Sequence, residues 1–212
     1  MSPLTPRRVA SLALLAAVVV GVAACSPVTH RWDIEPVTLT FGPSMPVTGG
    51  YRDRVREGST SWDGLGLPQR TFLASAPGTW TTDPCENLIR NLHNGVHLRA
   101  IDGPGGTLAL TAPCVWTDRP AMANVDIVFD SAEAWWVSDS SAIPAGASDF
   151  ESVATHELGH AWGWLGDHLS GPTLCGDSGP RHTMCAFHWP GTTDQRTPEQ
   201  GDRDPIVAAY AP

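Results

Sequence analysis

The chain has 212 residues, a length suited to one globular domain once any targeting segment is set aside. Hydrophobic residues make up 42% and charged ones 17%, with nine tryptophans, which excludes a disordered chain and leaves enough apolar mass for a core. The formal net charge is -9 and every basic residue is Arg, an acidic balance that argues against a nucleic-acid partner, because phosphate binding draws on Lys and Arg.

At the N-terminus, Arg7 and Arg8 precede an apolar run from Leu12 to Ala24, shorter than the ~20 residues of a membrane-spanning helix but suited to a signal h-region. Residues 1–24 therefore read as a signal peptide. Its end, Val22-Ala23-Ala24-Cys25, resembles the bacterial lipobox, in which the cysteine is acylated and begins the mature protein; ordinary cleavage that leaves Cys25 as an odd thiol is the alternative. Residues 25–36 mix polar residues and Pro and read as a lipid-anchored tether, with the folded domain expected over 37–212. An exported protein follows, anchored to the cell membrane facing outside or secreted. Setting Cys25 aside leaves Cys85, Cys114, Cys175 and Cys185, an even number in an oxidising compartment, so two disulfides are expected. Of three connectivities, Cys85–Cys114 with Cys175–Cys185 is favoured, because the second closes a short loop beside the candidate site below. A thiolate ligand from Cys175 or Cys185 lacks the C-x-x-C spacing of zinc sites.

Val37, Leu39 and Phe41 alternate with threonines as in a strand. Beyond "PVTGG", the recurrence of Tyr51, Val55 and Trp62 predicts a helix, weakened by Gly58. Strands are expected at "TFLAS", "GVHLRAID", "TLALTA" and "NVDIVFD", separated by turns such as "DGPGG". Ser148-Asp149-Phe150-Glu151 matches an S-x-x-E capping box, with Ser148 as N-cap of a helix ending near Gly163. A terminal helix is expected around Ile206, Ala209 and Tyr210, with Pro205 in its first turn.

The central helix carries His156-Glu157-Leu158-Gly159-His160, an H-E-x-x-H motif. Four residues separate the histidines, roughly 6 Å along the axis and about 40° in direction, so two imidazoles can grip one ion. Zinc takes tetrahedral N, S or O ligands, and a catalytic site reserves one position for water, so a third protein ligand is needed beyond this turn. Glu157 points about 100° from His156, placing it to take a proton from a zinc-activated water as that water attacks a carbonyl.

At these residues the chain resembles the metzincin motif H-E-x-x-H-x-x-G-x-x-H, in its matrixin branch. "HTMCAF" is similar to the Met-turn, with Met184 beneath the zinc, and "RTPEQGDRDPIVAAY" to the matrixin tail, with Pro198 in place of a leucine. The nearest likeness is to small secreted matrixin-like proteases of actinobacteria. The resemblance implies an α+β fold: a twisted mixed sheet, the zinc-site helix, the Met-turn and a C-terminal helix. It further implies that "NVDIVFD" is the edge strand that pairs with an extended peptide. His182 and His188 read as loop histidines, Asp126 and Asp130 as solvent-facing rather than calcium ligands, and Trp135-Trp136 as core packing or a lip of the cleft. One catalytic Zn2+ is expected; Ca2+ has no support in the residues.

The chain departs from the family where the third ligand belongs, because Gly166 stands at that spacing. His168 is favoured, as imidazole is the commonest ligand, with Asp167 the alternative. No cysteine-switch segment is evident. The function expected is that of a monomeric zinc endopeptidase acting on extracellular or envelope polypeptides, attached to the membrane through its lipid alone. The alternative is a non-catalytic zinc-containing envelope lipoprotein, its site closed by both Asp167 and His168.

Overall fold

The computed structural model describes residues 9–11, 30–74, 85, 93–164, 166, 175 and 182–211. Its elements are β1 (Val9–Ser11), β2 (Val37–Phe41), α1 (Tyr51–Thr60), β3 (Arg70–Leu73), β4 (Asn94–Arg99), β5 (Ala109–Trp116), β6 (Met122–Asp130), β7 (Trp135–Trp136), β8 (Ser148–Asp149), α2 (Phe150–Ala161), a 3-10 turn (Asp194–Arg196) and α3 (Gln200–Tyr210). The main sheet has the order β1-β5-β6-β4-β2-β3. Strands β2, β3, β4 and β6 run parallel, β5 runs antiparallel to β6, and β1 pairs antiparallel with Cys114–Trp116 of β5. This mixed sheet with packed helices is the α+β architecture expected.

Side-chain alternation explains the layering. In β5 and β6, Ala109 lies opposite Phe129, Thr111 opposite Ile127 and Pro113 opposite Val125. Phe129 stacks on Phe150 of α2 at 4.4 Å between ring centroids, so this row faces the helices. Helices α1 and α2 cross at Gly58, where a Cβ would come within 2.9 Å of the Thr155 amide nitrogen. The glycine that weakens the helix pattern is thus what lets the two backbones approach. Trp62 closes the crossing, its indole donating to the Thr155 carbonyl at 2.9 Å.

Four expectations are corrected. "NVDIVFD" is interior rather than an edge: β6 has β4 on one side and β5 on the other. Asp126 and Asp130 are buried in consequence, not solvent-facing. Asp126 accepts from the Gly95 amide at 2.6 Å. Burial alone would raise the pKa of Asp130, but amides of Ala132, Asp102, Gly103 and Ile101 outweigh it and hold the carboxyl below its ordinary range. The N-cap of α2 is Asp149, not Ser148; its carboxylate accepts from the Ser152 amide at 3.0 Å, while Glu151 pairs instead with Arg54 at 2.7 Å. Helix α3 starts at Gln200, so Pro205 lies inside it rather than in its first turn; the start is fixed by a capping box between Glu199 and Asp202.

The fourth correction concerns the tether. Arg31 bridges to Ala121, and Trp32 is buried with its indole donating to the Ala161 carbonyl at 2.8 Å. The folded domain therefore begins before residue 37. The two disulfides are Cys85–Cys114, onto β5, and Cys175–Cys185, onto the residue after Met184. Cys25 lies outside the described residues, and among those described no helix is long and apolar enough to cross a membrane.

Candidate functional site

Helix α2 brings His156, Glu157 and His160 together. Asp149 caps its first turn and is itself clamped by Arg196, whose guanidinium donates to both carboxylate oxygens at 2.8 and 2.7 Å. At the other end, Gly163 takes a left-handed φ of 105°, and the Trp164 amide bonds back to the Gly159 carbonyl at 3.1 Å. That turn folds the Trp164 carbonyl beneath the helix, where it accepts from His160 Nδ1 at 2.6 Å. His156 Nδ1 donates to the Thr183 carbonyl at 2.8 Å.

These two bonds decide the tautomers. A carbonyl only accepts, so each Nδ1 carries a proton, and in a neutral ring the lone pair then falls on Nε2. The two Nε2 atoms face each other at 3.0 Å. Two imidazole lone pairs so placed repel unless a cation lies between them, and zinc bonds of about 2.0–2.1 Å in a tetrahedron put two nitrogens roughly 3.3 Å apart. The pair therefore fits a zinc ion, with ring orientation set by carbonyl partners as in metal-ligating histidines generally. Both imidazoles are half-buried.

Glu157 is buried at 5% exposure, and its Oε2 accepts from the Thr111 hydroxyl at 2.6 Å. Thr111 sits on β5, so the antiparallel strand and the helix meet at this carboxylate. Met184 is fully buried against the same helix from below: a Cβ on Gly159 would lie 2.3 Å from its sulfur. Glycine in the middle of H-E-L-G-H thus makes room for the methionine of the turn.

That turn is held by a buried acceptor and a buried donor. Asp202, at the start of α3, accepts from the amides of Thr183 at 2.9 Å and Met184 at 3.4 Å. Gln195 spreads its amide over carbonyls of His182, Thr183, Cys185 and Phe187, and its oxygen meets His188 Nδ1 at 2.9 Å. His188 in turn accepts from the Asp149 amide at 3.2 Å. So His182 and His188 are structural: His182 packs on Gly201 near Asp202, and His188 links the turn to the α2 cap. Trp135 packs edge-on against Phe129 and Phe150, as core packing would have it.

Asp167 and His168, the third-ligand candidates, lie outside the described residues, and among the residues described no group of three His, Cys, Asp or Glu side chains converges on a point. Sequence reasoning missed Thr111, Gly159, Asp149 and Gln195. Of these, Gly159 carried a signal, a glycine in the interior of a well-formed helix, and Asp149 is a residue type that suits an N-cap. In the tail that resembles the family's, Arg196 holds the α2 cap, Asp202 the Met184 turn and Tyr210 the end of α2; the Tyr210 hydroxyl donates to the Trp162 carbonyl at 3.1 Å and accepts from the Trp32 amide at 3.0 Å.

Residues 90–171 match the family model described as Matrixin. That span runs from the approach to β4 through α2, and includes His156, Glu157, His160 and both third-ligand candidates. No curated protein matches the chain.

Proposed function

From the match of residues 90–171 to the matrixin model, we propose that the chain is a zinc-dependent endopeptidase acting on extended polypeptide. The observation that carries the proposal is the pair of inward-facing Nε2 atoms, 3.0 Å apart on His156 and His160, with both Nδ1 protons committed elsewhere. These two residues would hold the ion, and His168 or Asp167 would complete its protein ligands. Zinc, when bound, supplies Lewis-acid polarisation of the scissile carbonyl. Glu157 takes a proton from the attacking water as the C–O bond forms and returns it to the amine nitrogen, whose protonation lets the C–N bond break. Met184 packs beneath and ligates nothing. The topology supports β5 as the peptide-pairing edge: beyond the stretch held by β1, Ala109–Pro113 have no strand on their outer side among the described residues, and Thr111 of that stretch adjoins Glu157.

The leader and Cys25 support export and lipid anchoring, which places the expected substrates outside the cytoplasm. The purified chain should cleave an unfolded casein-type substrate, lose that activity to a chelator and regain it with zinc. Glu157→Ala should retain zinc while kcat drops about 10²- to 10⁴-fold. Full activity in Glu157→Ala would refute the mechanism.

A further inference from the structure

Resting on that reading, we propose that Thr111 is a positioning residue for the peptidase reaction, its hydroxyl fixing the Glu157 carboxylate in the orientation that leaves Oε1 for proton transfer. Thr111 belongs to the helix-facing row of β5, between Ala109 and Pro113 and opposite Ile127. Its row neighbours are apolar, and a β-branched hydrocarbon would fill the same space. The hydroxyl is therefore not a packing requirement. Its partners both belong to Glu157: Oε2 at 2.6 Å and the backbone carbonyl at 3.1 Å. One hydroxyl carries one proton, and the shorter contact, within the range of a charge-assisted O–H···O⁻ bond, claims it. Oε1 makes no hydrogen bond among the described residues.

Strand geometry makes the anchor stiff. A threonine has restricted χ1 freedom, and its backbone is locked in the ladder to β6. Glutamate has three rotatable bonds, and without an anchor its carboxylate samples positions from which it cannot reach the attacking water. Misplacement of about 1 Å is enough to cost on the order of 100-fold in rate. Because β5 is also the strand whose outer edge faces an extended peptide, the same element that receives substrate orients the base.

The test is Thr111→Val, which keeps shape and removes only the hydroxyl, with Thr111→Ser as the rescue. Steady-state kinetics should show kcat lowered about 10- to 100-fold in the valine variant, with KM within about twofold of wild type and the serine variant restored to near wild type. Zinc content and melting temperature should match wild type in both. A crystal structure of Thr111→Val should show the Glu157 carboxylate out of its wild-type rotamer. Unchanged kcat, a loss confined to KM, failure of serine to rescue, or an unmoved carboxylate each overturns the inference while leaving the peptidase reading intact. Absence of chelator-sensitive peptidase activity in the wild type overturns that reading and this inference with it.

Discussion

Replacing Gly159 with alanine sets two general rules against each other. In an exposed helix interior the change stabilises by roughly 1 kcal/mol, because alanine restricts the unfolded chain. Here the added Cβ would meet Met184 Sδ at 2.3 Å, Trp62 Cζ2 at 2.9 Å and Met184 Cε at 3.0 Å. Carbon contacts are comfortable at about 3.5–4.0 Å, so the sulfur must retreat by more than about 1 Å. Methionine is flexible, but Met184 and Trp62 are both fully buried, so any retreat presses on packed neighbours. Overpacking of this kind costs about 1–3 kcal/mol, which offsets the helix gain and leaves net destabilisation of up to about 2 kcal/mol. The helix yields as well, displacing His156 and His160 on either side of residue 159, so zinc retention should fall. Urea denaturation combined with zinc content after dialysis reads both effects. Gly159→Ala protein that is more stable than wild type and binds zinc as tightly would refute the claim that the glycine exists to seat Met184; restoration of both properties by an added Met184→Ala would support it.

Two further outcomes follow from buried polar groups. His97 is buried on β4, and desolvation, helped by the nearby Arg99 charge, lowers its pKa from 6.5 to about 4. The unfolded chain therefore takes up a proton at a pH where the folded chain does not: the stability held by the neutral ring is complete above pH ~6.5 and is lost as pH falls toward ~4, by about 2 kcal/mol at pH 5. Urea midpoints between pH 7 and pH 5 should show this slope, and His97→Gln should flatten it; an equal slope in the variant would assign the effect elsewhere. Asp202→Ala strands the buried amide of Thr183 and the half-buried amide of Glu199, at 2.9 and 3.0 Å from its carboxylate, so a loss of about 3 kcal/mol is expected in thermal or urea unfolding, with weakened zinc binding because Thr183 also orients His156. Retention of wild-type zinc affinity in that variant would show that the turn holds its position without Asp202.

How much of this was legible in sequence depended on whether a residue acts on near neighbours or distant ones. His156, Glu157 and His160 lie on one helical turn, so their spacing alone brings them together, and Gly163 could be read as a helix end because only a left-handed residue fits there. Strand positions were readable from alternation, but strand order was not. Alternation says which face is buried and nothing about which neighbour pairs on either side, so it could not test the edge position that the family resemblance implied for β6, and it gave the aspartates of an interior strand as solvent-facing residues. The α2 cap failed for a related reason: Ser148 and Asp149 both suit an N-cap, and what decides between them is Arg196, forty-seven residues away, clamping Asp149. Thr111 was unreadable because a threonine in a strand is ordinary; its meaning comes from a carboxylate forty-six residues on.

The two imidazoles also differ in what holds them. His160 is oriented by the Trp164 carbonyl, four residues away on the exit of its own helix, so that bond forms whenever α2 and its Gly163 turn form. His156 is oriented by Thr183, whose position depends on Asp202 of α3 and on Gln195 of the 3-10 turn. One half of the nitrogen pair is thus local and the other is tertiary. A chain in which α2 is intact but the segment from Thr183 to Tyr210 is undocked keeps one oriented imidazole and loses the other, and a two-nitrogen grip becomes a single, weaker contact. The concentration of buried partners around Thr183 follows from that dependence: the accepting Asp202 carboxylate, the donating Gln195 amide and the Cys175–Cys185 bond all fix the few residues whose backbone aims the second nitrogen. Docking of the C-terminal part and formation of the metal grip are therefore one event, and zinc should raise the unfolding midpoint of the whole domain rather than of α2 alone.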